Sequence, residues 1–202
     1  MIKLVVFDLD GVLVDACEWH RIALNKALQQ TCKYEISLQE HYREYNGIPT
    51  MTKLKKLNEK GIISKDKFEI IEELKQKYTI ELINNTAHIR EEKVQLLKYL
   101  KQNEIKVACY TNSIRKTAEL MLNKTGILNL FDLVITNQDV EKSKPDPQGY
   151  LKIMNLLNIN CCNTIIVEDS PKGFEAAYRS GAKVFKVNDQ EQVNINLFKG
   201  FI

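Results

Sequence analysis

The sequence predicts an α/β protein: a parallel sheet with helices on both faces, interrupted once by an all-helical insertion. Three observations lead there. Five short apolar runs read as strands, at Lys3–Phe7, Ile105–Tyr110, Leu133–Thr136, Thr164–Val167 and Lys183–Val187. From the second run onward, strands alternate with helical patterns, the order from which parallel sheets are built. Between the first run and the second lies a stretch, about 16 to 88, with helical spacing and no strand signal.

Each element has its own local reason. The first helix of the insertion is expected after Asp15, with Glu18 completing a capping box and Ile22, Ala23, Leu24, Ala27 and Leu28 as its apolar face. Lys53–Lys60 and Lys65–Asn84 read as two more helices. Val94, Leu96, Leu97 and Leu100 then mark the helix that leads into the second strand. Ala118, Leu120, Met121 and Leu122 lie in the next helix, which Gly126 closes. Tyr150–Leu157 is a helix with Asp146 as N-cap and Pro147 as its first residue. Ser170-Pro171 starts the last helix, Gly173–Ser180, which ends at Gly181.

Composition narrows the class. The chain has 29 Lys and Arg against 26 Asp and Glu, intermixed along its length, so nothing points to a nucleic acid or membrane surface. No segment approaches the roughly 18 apolar residues of a membrane helix. Asp8 and Asp10 interrupt the N-terminus before a signal-peptide core could form, and a cytoplasmic protein is expected. The cysteines, 17, 32, 109, 161 and 162, are odd in number and lack Cys-x-x-Cys spacing, which suits reduced thiols. Nothing demands more than a monomer.

The chemistry gathers at the carboxyl ends of the strands, where open parallel sheets bind ligands. The first strand runs into Asp8-Leu9-Asp10-Gly11, two carboxylates that repel unless a cation joins them or one keeps a proton. Mg²⁺ favours such oxygen clusters. The second strand ends in Thr111-Asn112-Ser113, whose hydroxyls and amides suit a phosphate, though Ser113 is also a natural helix cap. After the third come Lys144 and the stiff Pro145-Asp146-Pro147. The fourth ends in a second acidic pair, Glu168-Asp169. Acids, a hydroxyl and a lysine on one sheet edge are the equipment of Mg²⁺-assisted phosphoryl transfer.

Those four segments, in order, resemble the motifs of the haloacid dehalogenase superfamily, in the branch with a helical cap after the first strand. The resemblance implies a Rossmann-like three-layer α/β/α core over residues 1–15 and 89–202, with sheet order 5-4-1-2-3, and an inserted cap over 16–88 that hinges near Asp15 and His88. It also implies roles. Asp8 would be the nucleophile and Asp10 the general acid and base, while Lys144 would neutralise shared charge. Thr111 and the Asn112 amide would hold phosphoryl oxygens. Asp8, Asp10 (through its backbone carbonyl), Asp169 and Glu168 would surround Mg²⁺. Cap residues His20, Asn46, Gly47 and Thr50, with Lys53 nearby, would meet the rest of the substrate.

The expected reaction is hydrolysis of a small phosphorylated metabolite. Asp10 argues against dehalogenases and phosphonatases, which lack that second acid. The main alternative is a β-phosphoglucomutase-type mutase, which has a cap histidine in the place of His20. Where that enzyme carries basic groups for a second phosphate, this chain has Asn46-Gly47 and Thr50. A non-catalytic phosphate-binding regulator would be expected to have lost Asp8, Asp10 or Asp169, and all three are present.

Overall fold

A computed structural model describes all 202 residues of the protein. The chain divides into two compact units, Met1–Asp15 with His88–Ile202, and Ala16–Ala87. The elements run β1 (Leu4–Phe7), α1 (Cys17–Cys32), α2 (Leu38–Glu40), α3 (Thr50–Glu59), α4 (Phe68–Thr86), α5 (Glu91–Gln102), β2 (Lys106–Tyr110), α6 (Arg115–Lys124), β3 (Leu133–Ile135), α7 (Gln148–Leu156), β4 (Thr164–Glu168), α8 (Pro171–Arg179) and β5 (Lys183–Lys186).

The first unit carries one parallel sheet in the order β3-β2-β1-β4-β5, the expected order read from its other edge. The central strand, β1, is wholly buried, as expected of a strand covered on both faces. Side chains alternate across it. Leu4 and Val6 pack with Tyr110, Tyr150, Ile153 and Ile166 on one face. On the other, Phe7 meets the ring of Phe198 edge-on at 6.0 Å. Register aligns the strand ends: Phe7 pairs with Cys109 of β2 and with Val167 of β4. Asp8, Tyr110 and Glu168 therefore emerge side by side.

The second unit is helical. Its core joins Leu24, Ala27 and Leu28 of α1 to Ile36, Tyr45, Leu54, Leu57 and Ile71. Buried Asn25 ties α1 to the loop beyond it, donating to the Ile36 carbonyl at 2.9 Å and accepting from the Ile36 amide at 3.0 Å. A π-helical turn, His41–Tyr45, continues α2 and has no counterpart in the sequence expectations. No helix is long and apolar enough to cross a membrane.

Two local expectations are corrected. The capping box at Asp15 does not form: α1 starts at Cys17 with no side-chain cap, and Glu18 instead holds Arg21 at 2.5 and 2.8 Å. The guanidinium offers the carboxylate two parallel N–H donors where the capping position offers one backbone amide. At α7, Pro147 is the capping residue, yet the Asp146 carboxylate still accepts from the Gln148 amide at 3.0 Å. The start of α8 is as read, with the Ser170 hydroxyl accepting from the Gly173 amide.

Candidate active site

Lys144 is the centre of the site. Its side chain is 3% exposed, deep enough that an unpaired ammonium would be very costly. All three of its N–H donors are used. Nζ donates to Asp8 Oδ1 at 2.5 Å, to Glu168 Oε1 at 2.5 Å and to the Tyr110 carbonyl at 2.9 Å. The loop that delivers it is anchored by Asn112, whose side chain accepts from the Lys144 amide at 3.2 Å and donates to the Lys144 carbonyl at 3.3 Å. Burial alone would lower the ammonium's pKa. Asp8 and Glu168 more than reverse this and hold it well above its ordinary value.

Asp10 leaves the same turn in another direction. Its Oδ2 accepts from the Thr111 hydroxyl at 3.1 Å and from the Ser113 hydroxyl at 3.0 Å. The turn is tight, with the Gly11 amide donating to the Val14 carbonyl at 2.7 Å. Gly11 sits at φ +91°, and a side chain there would strike the Asp169 carboxylate. Ser113 is not the helix cap that its position suggested: α6 begins after Ile114 with no side-chain cap, and the Ser113 hydroxyl serves Asp10. Thr111 is fully buried, and its hydroxyl also accepts from the Ser113 amide at 3.0 Å.

Three acids converge. One oxygen from each of Asp8, Glu168 and Asp169 lies within 4.8 Å of the others. The carboxylate of Asp10 is not part of this cluster. Burial pushes the Asp8 carboxyl well above its ordinary range; Lys144 opposes, while Glu168, Asp169 and Asp10 add to the rise. Burial and Glu168 likewise push Asp169 up to about 7. Asp169 Oδ1 is buried with no hydrogen-bond partner. A partnerless buried carboxylate oxygen beside a second acid is short of positive charge. A hard divalent cation with oxygen ligands fits that deficit.

The structure thus brings together Asp8, Asp10, Thr111, Asn112, Lys144, Glu168 and Asp169 on one sheet edge. The other candidates belong to the helical unit. His20 Nδ1 lies 3.3 Å from Lys75 Nζ. Asn46 follows the π-helical turn, Gly47 turns at φ +71°, Thr50 opens α3, and Lys53 is buried. Sequence reasoning passed over Tyr110 and Tyr150, which flank Lys144 with ring centroids 4.8 and 5.3 Å from Nζ. Aromatic residues in a strand and a helix read as ordinary core, so no signal marked them.

The model of the haloacid dehalogenase-like hydrolase family matches residues 5–187. A phosphorylated carbohydrates phosphatase of Thermotoga maritima is 29% identical over 181 residues, covering 88% of this chain and 81% of that one. A phosphoglycolate phosphatase of Aquifex aeolicus is 28% identical over 189 residues, covering 90% and 82%. Among solved structures, a β-phosphoglucomutase from Clostridium difficile shares the fold, with a TM-score of 0.85 at 24% identity over 98% of this chain and 96% of that one. CbbY of Rhodobacter sphaeroides, in complex with xylulose-(1,5)bisphosphate, does so with a TM-score of 0.83 at 21% identity over 92% and 86%. By the family match and these relatives, the chain belongs to the haloacid dehalogenase-like hydrolase family and is an enzyme of its phosphatase type.

Proposed function

We propose that the protein hydrolyses a small phosphomonoester in two steps through a phosphorylated Asp8, with Mg²⁺ as its cation. The observation that carries this reading is the unequal environment of the two acids of one turn. Asp8 is held by an ammonium beside Asp169, whose Oδ1 has no partner; Asp10 is held by two hydroxyls. Two carboxyls placed so differently can divide the work of nucleophile and proton carrier.

In the first step an Asp8 oxygen bonds to phosphorus as the ester P–O bond breaks, and Asp10 gives its proton to the leaving oxygen. In the second, water bonds to phosphorus and returns a proton to Asp10. The bond from phosphorus to Asp8 then breaks and inorganic phosphate leaves. Lys144 keeps the Asp8 oxygen oriented and offsets charge on the transferred group. Asp8, the Asp10 carbonyl and Asp169 would hold Mg²⁺, which supplies electrostatic relief for the negative phosphoryl group. Thr111 and the Asn112 backbone are the proposed phosphoryl-binding groups. His20, Asn46, Gly47 and Thr50 of the helical unit are the proposed selectors of the leaving group, and the relatives' names point to sugar phosphates and phosphoglycolate as first substrates to try.

The test is release of inorganic phosphate from a generic aryl phosphate, with and without Mg²⁺, followed by a panel of phosphorylated metabolites. Turnover that survives chelation, or none with any ester, refutes the reading. A parallel assay supplies β-glucose 1-phosphate with a trace of the 1,6-bisphosphate. Rapid formation of glucose 6-phosphate with little free phosphate would make the protein a mutase instead.

A further inference from the structure

Glu168 has no oxygen to spare. It is fully buried at the end of β4, and four donors reach its carboxylate. Oε1 accepts from Lys144 Nζ and from the Tyr150 hydroxyl, each at 2.5 Å. Oε2 accepts from the Asp169 amide at 3.2 Å and the Ser170 hydroxyl at 3.4 Å. A carboxylate has about four such places. Asp169, its neighbour, is the contrast, with one oxygen that has no donor at all.

The Tyr150 contact is built rather than incidental. Tyr150 stands on α7, just beyond the Lys144 loop, so one short segment delivers both donors to Oε1. Its ring meets that of Tyr110 edge-on, with centroids 4.9 Å apart at 90°. The two rings wall in the Lys144 ammonium. Room for Tyr110 exists only because residue 149 is glycine, since a Cβ there would run into the Tyr110 ring. Gly173 likewise clears the space for the Glu168 carboxylate, which a side chain at 173 would strike.

We infer that Tyr150 is a positioning residue: its hydroxyl commits Glu168 to Lys144 as a counter-charge and keeps it out of the cation's coordination, leaving Asp8 and Asp169 as the carboxylate ligands. The inference rests on the proposed Mg²⁺-dependent reaction and removes Glu168 from the ligand set that the resemblance implied. Lys144 owes its aim at Asp8 to two fixed acceptors, Glu168 Oε1 and the Tyr110 carbonyl. Loosening Glu168 loosens the ammonium, and with it the nucleophile.

The test measures Mg²⁺ affinity by calorimetry, which needs no turnover, beside steady-state kinetics on the best ester. Glu168→Gln should weaken Mg²⁺ binding at least about tenfold less than Asp169→Asn, the change at a proposed ligand, because Glu168 acts on the cation only through Lys144 and Asp8. Tyr150→Phe keeps the ring and removes only the hydroxyl. It should lower kcat about tenfold, as expected for losing one hydrogen bond of about 1.4 kcal/mol, with KM within about twofold. A weakening of Mg²⁺ binding in Glu168→Gln as large as that in Asp169→Asn, or wild-type kcat in Tyr150→Phe, overturns the assignment, as does a wild-type protein that binds no Mg²⁺. A protein that binds Mg²⁺ but hydrolyses no ester refutes the proposed reaction alone, and Glu168→Gln still decides the ligand set. If Tyr150→Phe fails to fold, the Glu168→Gln titration decides by itself.

Discussion

The sheet unit and the helical unit bury ionisable groups by opposite means. In the first, Lys144 is enclosed by two carboxylates and a carbonyl, and it stays charged. In the second, His41 is 1% exposed and neither ring nitrogen has a partner. Burial, then the cations Lys53 and Arg21, lower its pKa to about 3, against a weaker pull upward from Glu18 and a further push down from His20. The buried lysine keeps its charge because its acceptors arrive from three strand ends at once. The buried histidine has no acceptor and is neutral. Charge survives burial where the fold supplies a counter-group, and the sheet edge is where this fold does so.

The largest effect should come from the charged side. Asp8→Asn is nearly isosteric and should cut turnover by four orders of magnitude or more, on the scale seen when a nucleophile is removed. The circular dichroism spectrum should stay unchanged. Retained phosphate release would mean that the Lys144–Asp8 pair is structural.

Lys144→Met should come next. It leaves Asp8 and Glu168 buried without their cation, which costs about 3–5 kcal/mol. Urea unfolding measures this, and a loss under 1 kcal/mol would show that the pair is not buried in solution.

The neutral side predicts a pH effect. The folded-state pKa of His41 lies below the unfolded value of 6.5, so its contribution is complete above pH 6.5. It is lost as pH falls toward about 3. At pH 4 the loss is on the order of 3 kcal/mol, at 1.36 kcal/mol per pH unit below 6.5. His41→Phe should flatten this part of the stability–pH curve, and an unchanged slope would show that His41 is charged or solvated in the fold.

The smallest effect sharpens the contrast within the helical unit, which does hold one buried polar group by reciprocal bonds. Asn25→Ala strips both partners from Ile36 and should cost about 1–3 kcal/mol. It should leave the pH dependence of the wild type intact. A thermal melt beside that of His41→Phe separates the two.

Much of the site could be read along the chain because its members follow strands. The runs that end at Phe7, Tyr110 and Val167 announce buried strands, and the polar residues just beyond each must then share an edge. Other assignments were open because one side chain had two plausible partners. Glu18 could cap α1 or pair with Arg21, and the pair formed. Ser113 could cap α6 or serve Asp10, and it serves Asp10. Both choices depend on where a second group lies in space, which spacing along the chain does not record.

By itself, the amino-acid sequence determined the alternation of strands and helices, the helical insertion and the set of acids, hydroxyls and lysine at the strand ends. These follow from hydrophobic period, turn residues and the rule that parallel strands share a carboxyl edge. Only the tertiary structure decided how those groups pair. Lys144 reaches across two strand ends to Asp8 and Glu168, Tyr150 completes Glu168 from α7, and Asp169 is left with an oxygen that has no donor. The reason is physical: a hydrogen bond or ion pair forms or fails on differences of a few tenths of an ångström, here between Lys144 and Asp8, which stand 136 positions apart, and register and packing set those distances.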